Sequence, residues 1–162
     1  MAAFTNDTIP DLLSLVRRST SSQETKEGAL IQLRNHSAQT ASARMEIVTC
    51  NGIHLLISVL KGKGYRAVAK ENALATLSNI GSETNMAVKI CEEGALPILV
   101  AQLKNGSSDG KDRAAAAIGM CQVCLMWRVN YCCTCLFTYV FMRVYVYACM
   151  HALTLIRPST YP

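Results

Sequence analysis

The cysteines are the side chains whose spacing in this sequence comes closest to a chemical site. Six of the 8 cysteines fall between residues 121 and 149, and the pair Cys121-x-x-Cys124 is followed by Cys132, Cys133 and Cys135. Thiolates with similar spacing hold zinc in tetrahedral sites. Here the loop between Cys124 and Cys132 is short, and adjacent cysteines rarely bind one ion together. We therefore expect no metal and no cofactor.

The histidines do not form a catalytic constellation. His36, His54 and His151 stand far apart in the chain, and none lies in a nucleophile or zinc-protease motif. We interpret His36 and His54 as structural residues of helices. The glycine-rich stretch NGSSDGK, at residues 105–111, lacks the spacing of a phosphate-binding loop and is interpreted as a loop of the fold. The sequence thus predicts no catalytic residue, and the chain is not expected to be an enzyme.

The net charge and the N-terminal residues bear on which partners and which cellular compartment to expect. Residues 1–121 hold 13 of the 16 Lys+Arg and all 11 Asp+Glu, a balance of +2 that is too mild to predict a nucleic-acid surface. The first residues lack the basic start and long apolar run of a secretory signal. We expect a cytoplasmic or nuclear protein with reduced thiols and no nucleic-acid partner.

A phrase of the sequence recurs, and its recurrence defines the elements that must position any site. EGALIQLRNH at residues 27–36 and ENALATLSNI at residues 71–80 align with an offset of 44, which also carries Leu12 onto Leu56. A third copy begins at GALPILVAQL, where Leu99 follows Leu56 by 43, and continues at DRAAAAIGM, where Ile118 follows Leu77 by 41. The chain therefore contains two full units and a partial third.

Each unit has the periodicity of helices. Ile53, Leu56, Ile57 and Leu60 follow the i, i+3, i+4, i+7 pattern of one apolar helix face, which glycines close. A second helix is predicted to end at Gly81, and Ser82 is the candidate N-cap of a short third helix that ends at Gly94. Units of this size bury their apolar faces only by stacking, and about three are needed for stability.

The period of 41 to 44 residues, the A-L-x-x-L-x-N phrase at residues 73–79 and the ICEEGALP junction at residues 90–97 together resemble armadillo repeats. HEAT repeats share the size and are the second choice. The resemblance implies an all-α, right-handed α-solenoid. Its predicted divisions are an arm at 1–7, the repeats at 8–121 (8–51, 52–93 and 94–121), and an atypical apolar tail at 122–162.

In armadillo repeats an asparagine at the position of Asn35 and Asn79 often binds the backbone of an extended peptide in a concave groove. The resemblance therefore implies a peptide-binding groove at Asn35 and Asn79, with Arg34 and Ser78 beside them as exposed polar positions. An amide suits this task because it offers both a donor and an acceptor. The alternative is that these asparagines only cap or bridge neighbouring helical turns.

The repeats also depart from the family pattern. Importin-type repeats place a tryptophan four residues before that asparagine, whereas this chain has Ile31 and Ala75 there. The third unit has Met120 where the asparagine is due. Recognition of a nuclear-localisation signal in the importin manner is therefore not expected.

The tail, rich in cysteine and tyrosine and either helical or disordered, supports several interpretations. The apolar runs at 129–142 and 144–156 are each shorter than the ~20 residues of a membrane span, and Arg143 separates them. A tilted or interfacial helix that anchors the repeats to a membrane stays open as the alternative. A third hypothesis is a translated intron beginning at Val123, because the codons for Gln122 to Cys124 can be written as an exon end followed by a splice donor.

Taken together, these patterns predict a non-catalytic protein-interaction scaffold that binds a protein or an extended peptide. We expect it to be a fragment of a longer armadillo-repeat protein. The competing hypothesis is a membrane-associated repeat protein anchored by residues 122–162.

Overall fold

Apolar residues that recur with the repeat period form the core in the computed structural model of the chain. The structure describes the backbone of residues 8–128 and the side chains of residues 8–120. Over these residues it contains helices and no strands. The helices are α1 (Ile9–Arg17), α2 (Gln23–Gln39), α3 (Ala41–Thr49), α4 (Gly52–Lys61), α5 (Ala67–Gly81), α6 (Thr84–Glu92), α7 (Leu96–Asn105) and α8 (Ser108–Arg128).

The aligned positions of the three units are buried in every copy. The side chains at three such sets of aligned positions are each no more than 2% exposed. This confirms that the repeats share one helical register. Burying a leucine side chain contributes about 1.5–3 kcal/mol, so these positions are the main source of stability. The sets are Leu12, Leu56 and Leu99; Ala29, Ala73 and Ala114; and Leu33, Leu77 and Ile118.

Neighbouring units stack through their longest helices. Within a unit α1 packs on α2 and α4 packs on α5, and between units α2 and α5 make the most extensive helix–helix contact of the described residues. The short helices α3 and α6 connect one unit to the next. This arrangement brings the C-terminal halves of α2 and α5 side by side.

The turns that lead into α4 and α7 use left-handed backbone. Asn51 has φ 58° and Gly94, 43 residues later, has φ 72°. Gly52 permits a close approach at the first of these turns, because a Cβ there would lie 2.5 Å from Ile47 Cγ2. Chain reversal between units therefore depends on these few residues.

One predicted helix boundary is wrong. Ser82 is not the N-cap of the short helix α6; Glu83 occupies that position, and Ser82 is the C-cap of α5. The Ser82 hydroxyl donates to the Asn79 carbonyl at 2.7 Å and so ends α5 instead of starting α6. The sequence could not separate these two roles because the intervening turn is so short.

The predicted arm at 1–7 and nearly all of the tail lie outside the described residues. The backbone of α8 continues past residue 121 as far as Arg128, and the chain divides into units at Cys124. No single described helix is long and apolar enough to cross a membrane; α3 and α4, bent by 77°, reach the required length and composition only as a pair. The translated-intron and membrane-anchor hypotheses concern residues that the structure does not describe.

Candidate functional site

The four residues predicted to form a groove lie on the paired helices. Arg34 and Asn35 stand on α2, and Ser78 and Asn79 stand at the equivalent positions of α5. All four side chains are half-buried. Arg34 and Ser78 are therefore less exposed than expected, and for Arg34 one reason is its contact with Asn72 of α5.

Asn79 joins the two helices through its amide nitrogen. The Nδ2 group donates to Ser37 Oγ at 3.0 Å and to the Arg34 carbonyl at 3.3 Å. A carbonyl oxygen only accepts, so this contact fixes the orientation of the amide. Both N–H groups are then engaged, whereas Asn79 Oδ1 forms no hydrogen bond with another described residue. What Asn79 offers to a ligand is an acceptor.

Asn35 presents the opposite half of its amide. Its Oδ1 accepts from Arg34 Nη2 at 3.1 Å and from Arg34 Nε at 3.3 Å. A guanidinium only donates, so the oxygen must face Arg34 and the nitrogen must face away. Within the described part of the chain, Asn35 Nδ2 donates to no partner. What Asn35 offers to a ligand is a donor.

Two buried polar residues complete the arrangement, and sequence reasoning missed both. Asn72 is 5% exposed, accepts from Arg34 Nη1 at 2.9 Å and donates to the Val68 carbonyl at 2.8 Å. Ser37 is fully buried and donates to the Arg34 carbonyl at 2.8 Å. A signal existed for Asn72, which is a polar residue inside an apolar helix, seven positions before Asn79 and on the same side.

We refer to these residues as the α2–α5 polar network, comprising Arg34, Asn35, Ser37, Asn72 and Asn79. The network satisfies its buried polar groups, as the low-dielectric interior requires. The structure thus contains the bridging role that was the alternative for Asn79. That bridge uses only the amide nitrogen and leaves the oxygen available, so the two roles are compatible.

The third unit does not continue the network. Met120 occupies the asparagine position and Gly119 the position of Arg34 and Ser78. The position of the importin tryptophan holds Ile31, Ala75 and Ala116, so the face has no aromatic wall in the described repeats.

A cleft lies near the stretch NGSSDGK. It has a volume of about 270 Å³ and is lined by Tyr65, Lys70 and Gln102, among other residues. Ser107 occupies its edge, where its hydroxyl bonds the Glu71 carboxylate and accepts from the Gly110 amide. These contacts start α8 and attach it to α5. The interpretation of residues 105–111 as a loop is therefore wrong for most of the stretch, because only Gly106 and Ser107 lie between helices and residues 108–111 form the first turn of α8.

The described residues offer no candidate metal site. No group of three His, Cys, Asp or Glu side chains there could hold a metal ion. The candidate zinc cysteines from Cys121 onward lie beyond the described side chains.

Solved structures similar to this chain are repeat proteins. An engineered protein superposes with a TM-score of 0.64 and 24% identity over 72% of this chain and 46% of its own. A designed armadillo repeat protein gives 0.64 and 22% over 71% and 47%, and another, in complex with the peptide (KR)4, gives 0.64 and 20% over 72% and 47%. The chain spans about half the length of these proteins. No protein-family model matches it, and no curated protein matches it.

Proposed function

We propose that this chain, an all-α solenoid with the armadillo-like repeat fold, is a non-catalytic scaffold that binds an extended peptide segment of a partner protein along α2 and α5. The observation that carries the proposal is the pair of unused amide groups, a donor on Asn35 and an acceptor on Asn79. An extended backbone presents both kinds of group to a neighbouring surface, which is how peptides add to such faces.

The spacing of the helices suits such a ligand. Packed helices lie about 8–10 Å apart, and an extended chain advances about 3.3 Å per residue. A peptide that crosses α2 and α5 would therefore offer a carbonyl to Asn35 and, two or three residues away, an N–H to Asn79. Designed armadillo proteins for modular peptide recognition have the same fold, which supports a peptide as the ligand.

The face is expected to select little by shape. Ala75 and Ala116 are too small to form the walls of a deep side-chain pocket, so backbone contacts would supply much of the binding. We place this activity in the cytoplasm or nucleus. The thiols of Cys50 and Cys91 are free, which accords with a reducing compartment.

Side-chain amide resonances test the proposal directly. A pool of random octapeptides is titrated into the full chain labelled with nitrogen-15, and the NH2 signals of Asn35, Asn79 and Asn85 are followed. Asn85 is exposed on α6, outside the α2–α5 polar network, and serves as the internal control. Selective shifts of Asn35 and Asn79 are expected. Shifts of Asn85 alone, or of none of the three, would contradict the proposal.

A further inference from the structure

Among the described residues, the guanidinium of Arg34 forms hydrogen bonds but no ion pair with a carboxylate. Its guanidinium is half-buried and donates to two neutral oxygens, those of Asn35 and Asn72. The ion pairs of the described residues use other cations, Arg44 with Glu83 and Arg66 with Glu24 and Glu27. An anion would bind this cation more strongly than the amide oxygens do, because hydrogen bonds between two charged groups are stronger than those to a neutral acceptor.

The hydrogen bonds of the Arg34 guanidinium leave two of its N–H groups without a partner among the described residues. Arginine has five N–H groups, and three of them donate within the α2–α5 polar network. Nε and Nη2 share one edge of the plane, and that edge is directed at Asn35 Oδ1. One N–H remains on each of Nη1 and Nη2. We refer to these two N–H groups as the Arg34 fork, because two donors on one guanidinium can bind two oxygens of a carboxylate or phosphate.

The fork is also fixed before any ligand arrives. Asn35 and Asn72 hold the guanidinium from both helices, so a ligand does not have to immobilise a flexible side chain, and the entropic cost of binding falls. No ion pair between Arg34 and a carboxylate is formed among the described residues; Glu24 and Glu27 pair with Arg66 at 3.9 Å and 3.7 Å, and Glu83 pairs with Arg44 at 2.7 Å.

We propose that Arg34 recognises one anionic side chain of the bound peptide, a carboxylate or a phosphate, next to the residue that contacts Asn35. This inference rests on the proposed function of the α2–α5 face. The equivalent positions carry Ser78 and Gly119, so the described repeats present this fork at a single place. The ligand is therefore a peptide with a preferred acid at one position.

Fluorescence polarisation of labelled octapeptides on the full chain tests the inference. The probes alternate serine with glutamate, with phosphoserine, with glutamine or with lysine. We expect at least one anionic peptide to bind about tenfold more tightly than the glutamine peptide, as a charge-assisted pair predicts. Preference for the glutamate or the phosphoserine peptide identifies the source of the anion.

Variants distinguish a specific contact with Arg34 from a general attraction between the anionic peptide and the positive charges of the chain. In Arg34→Gln the preference for the anionic peptide over the glutamine peptide disappears. Arg18→Gln removes an exposed arginine at the end of α1 and leaves the preference intact. Arg34→Lys keeps the charge without the fork and retains only part of the preference. Thermal melts followed by circular dichroism establish that each variant is folded.

The possible failures are distinct. Equal binding of the anionic and neutral peptides, or a preference that persists in Arg34→Gln, overturns the role of Arg34 and leaves peptide binding in place. Failure of every probe to bind overturns the peptide-binding proposal as well.

Discussion

Asn79 and Ser37 join neighbouring repeats, because the amide nitrogen on α5 donates to the hydroxyl on α2 at 3.0 Å. The two residues are 42 positions apart in the chain. Their contact lies in the polar part of an interface that is otherwise apolar, and there it fixes how α5 is rotated against α2.

Replacement of Asn79 by alanine is expected to lower the free energy of unfolding by about 1–3 kcal/mol, because Ser37 loses a buried partner. Asn35→Ala should cost less, since Arg34 keeps Asn72 as an acceptor. Urea denaturation measures both. Asn85→Ala, on the exposed surface of α6, is the matched control and should change stability by less than about 0.5 kcal/mol. Equal losses for all three variants would argue against an inter-repeat bridge.

Arg66→Ser should stabilise the chain. Arg66 is the N-cap of α5 and makes no capping bond, whereas Ser22 caps α2 with its hydroxyl. A serine cap contributes about 0.5–2 kcal/mol relative to a side chain that cannot cap, and ion pairs at a residue 60% exposed contribute about 0–1 kcal/mol. The matched variant Arg66→Ala loses the same pairs without gaining a cap. A melting temperature of the serine variant no higher than that of the alanine variant would refute this account.

Replacing Asn51 by glycine should affect stability less than replacing it by alanine. Asn51 has φ 58°, a conformation that costs residues with a Cβ about 1–2 kcal/mol but that asparagine and glycine adopt readily. Asn51→Ala is therefore expected to destabilise the chain by about 1 kcal/mol, and Asn51→Gly to change it little. Denaturation by guanidinium chloride measures the stability of both variants. Identical unfolding midpoints for the alanine and glycine variants would contradict this prediction.

Gly52→Ala tests the close approach at the same turn. The added Cβ would lie 2.5 Å from Ile47 Cγ2 and 2.6 Å from the Ile47 carbonyl oxygen. The backbone must shift to accommodate it, at a cost of about 1–3 kcal/mol. Gly64→Ala is the control because nothing lies within 4 Å of its added Cβ. Calorimetric melting of the two variants should show a loss at Gly52 alone.

Much of the fold followed from recurrence in the sequence. The offset that aligns Leu33 with Leu77 also identified the buried positions, because equivalent residues in stacked repeats meet the same surroundings. The site was predicted less completely. Periodicity placed Asn35 and Asn79 on paired helices, but it could not show which half of each amide is engaged. That depends on Arg34 and Ser37 meeting α5 across about 40 residues of chain, and no local pattern records such contacts.

Arg34 is held by α5 at both ends, since Asn79 bonds its carbonyl and Asn72 its guanidinium. For a chain pulled from its two termini, this double attachment has a mechanical meaning. Sliding of the first two repeats past each other must break both contacts of Arg34, the one at its carbonyl and the one at its guanidinium. The junction of α2 and α5 should therefore resist extension as a single unit, and a ligand bound at Arg34 would raise the force at which it yields.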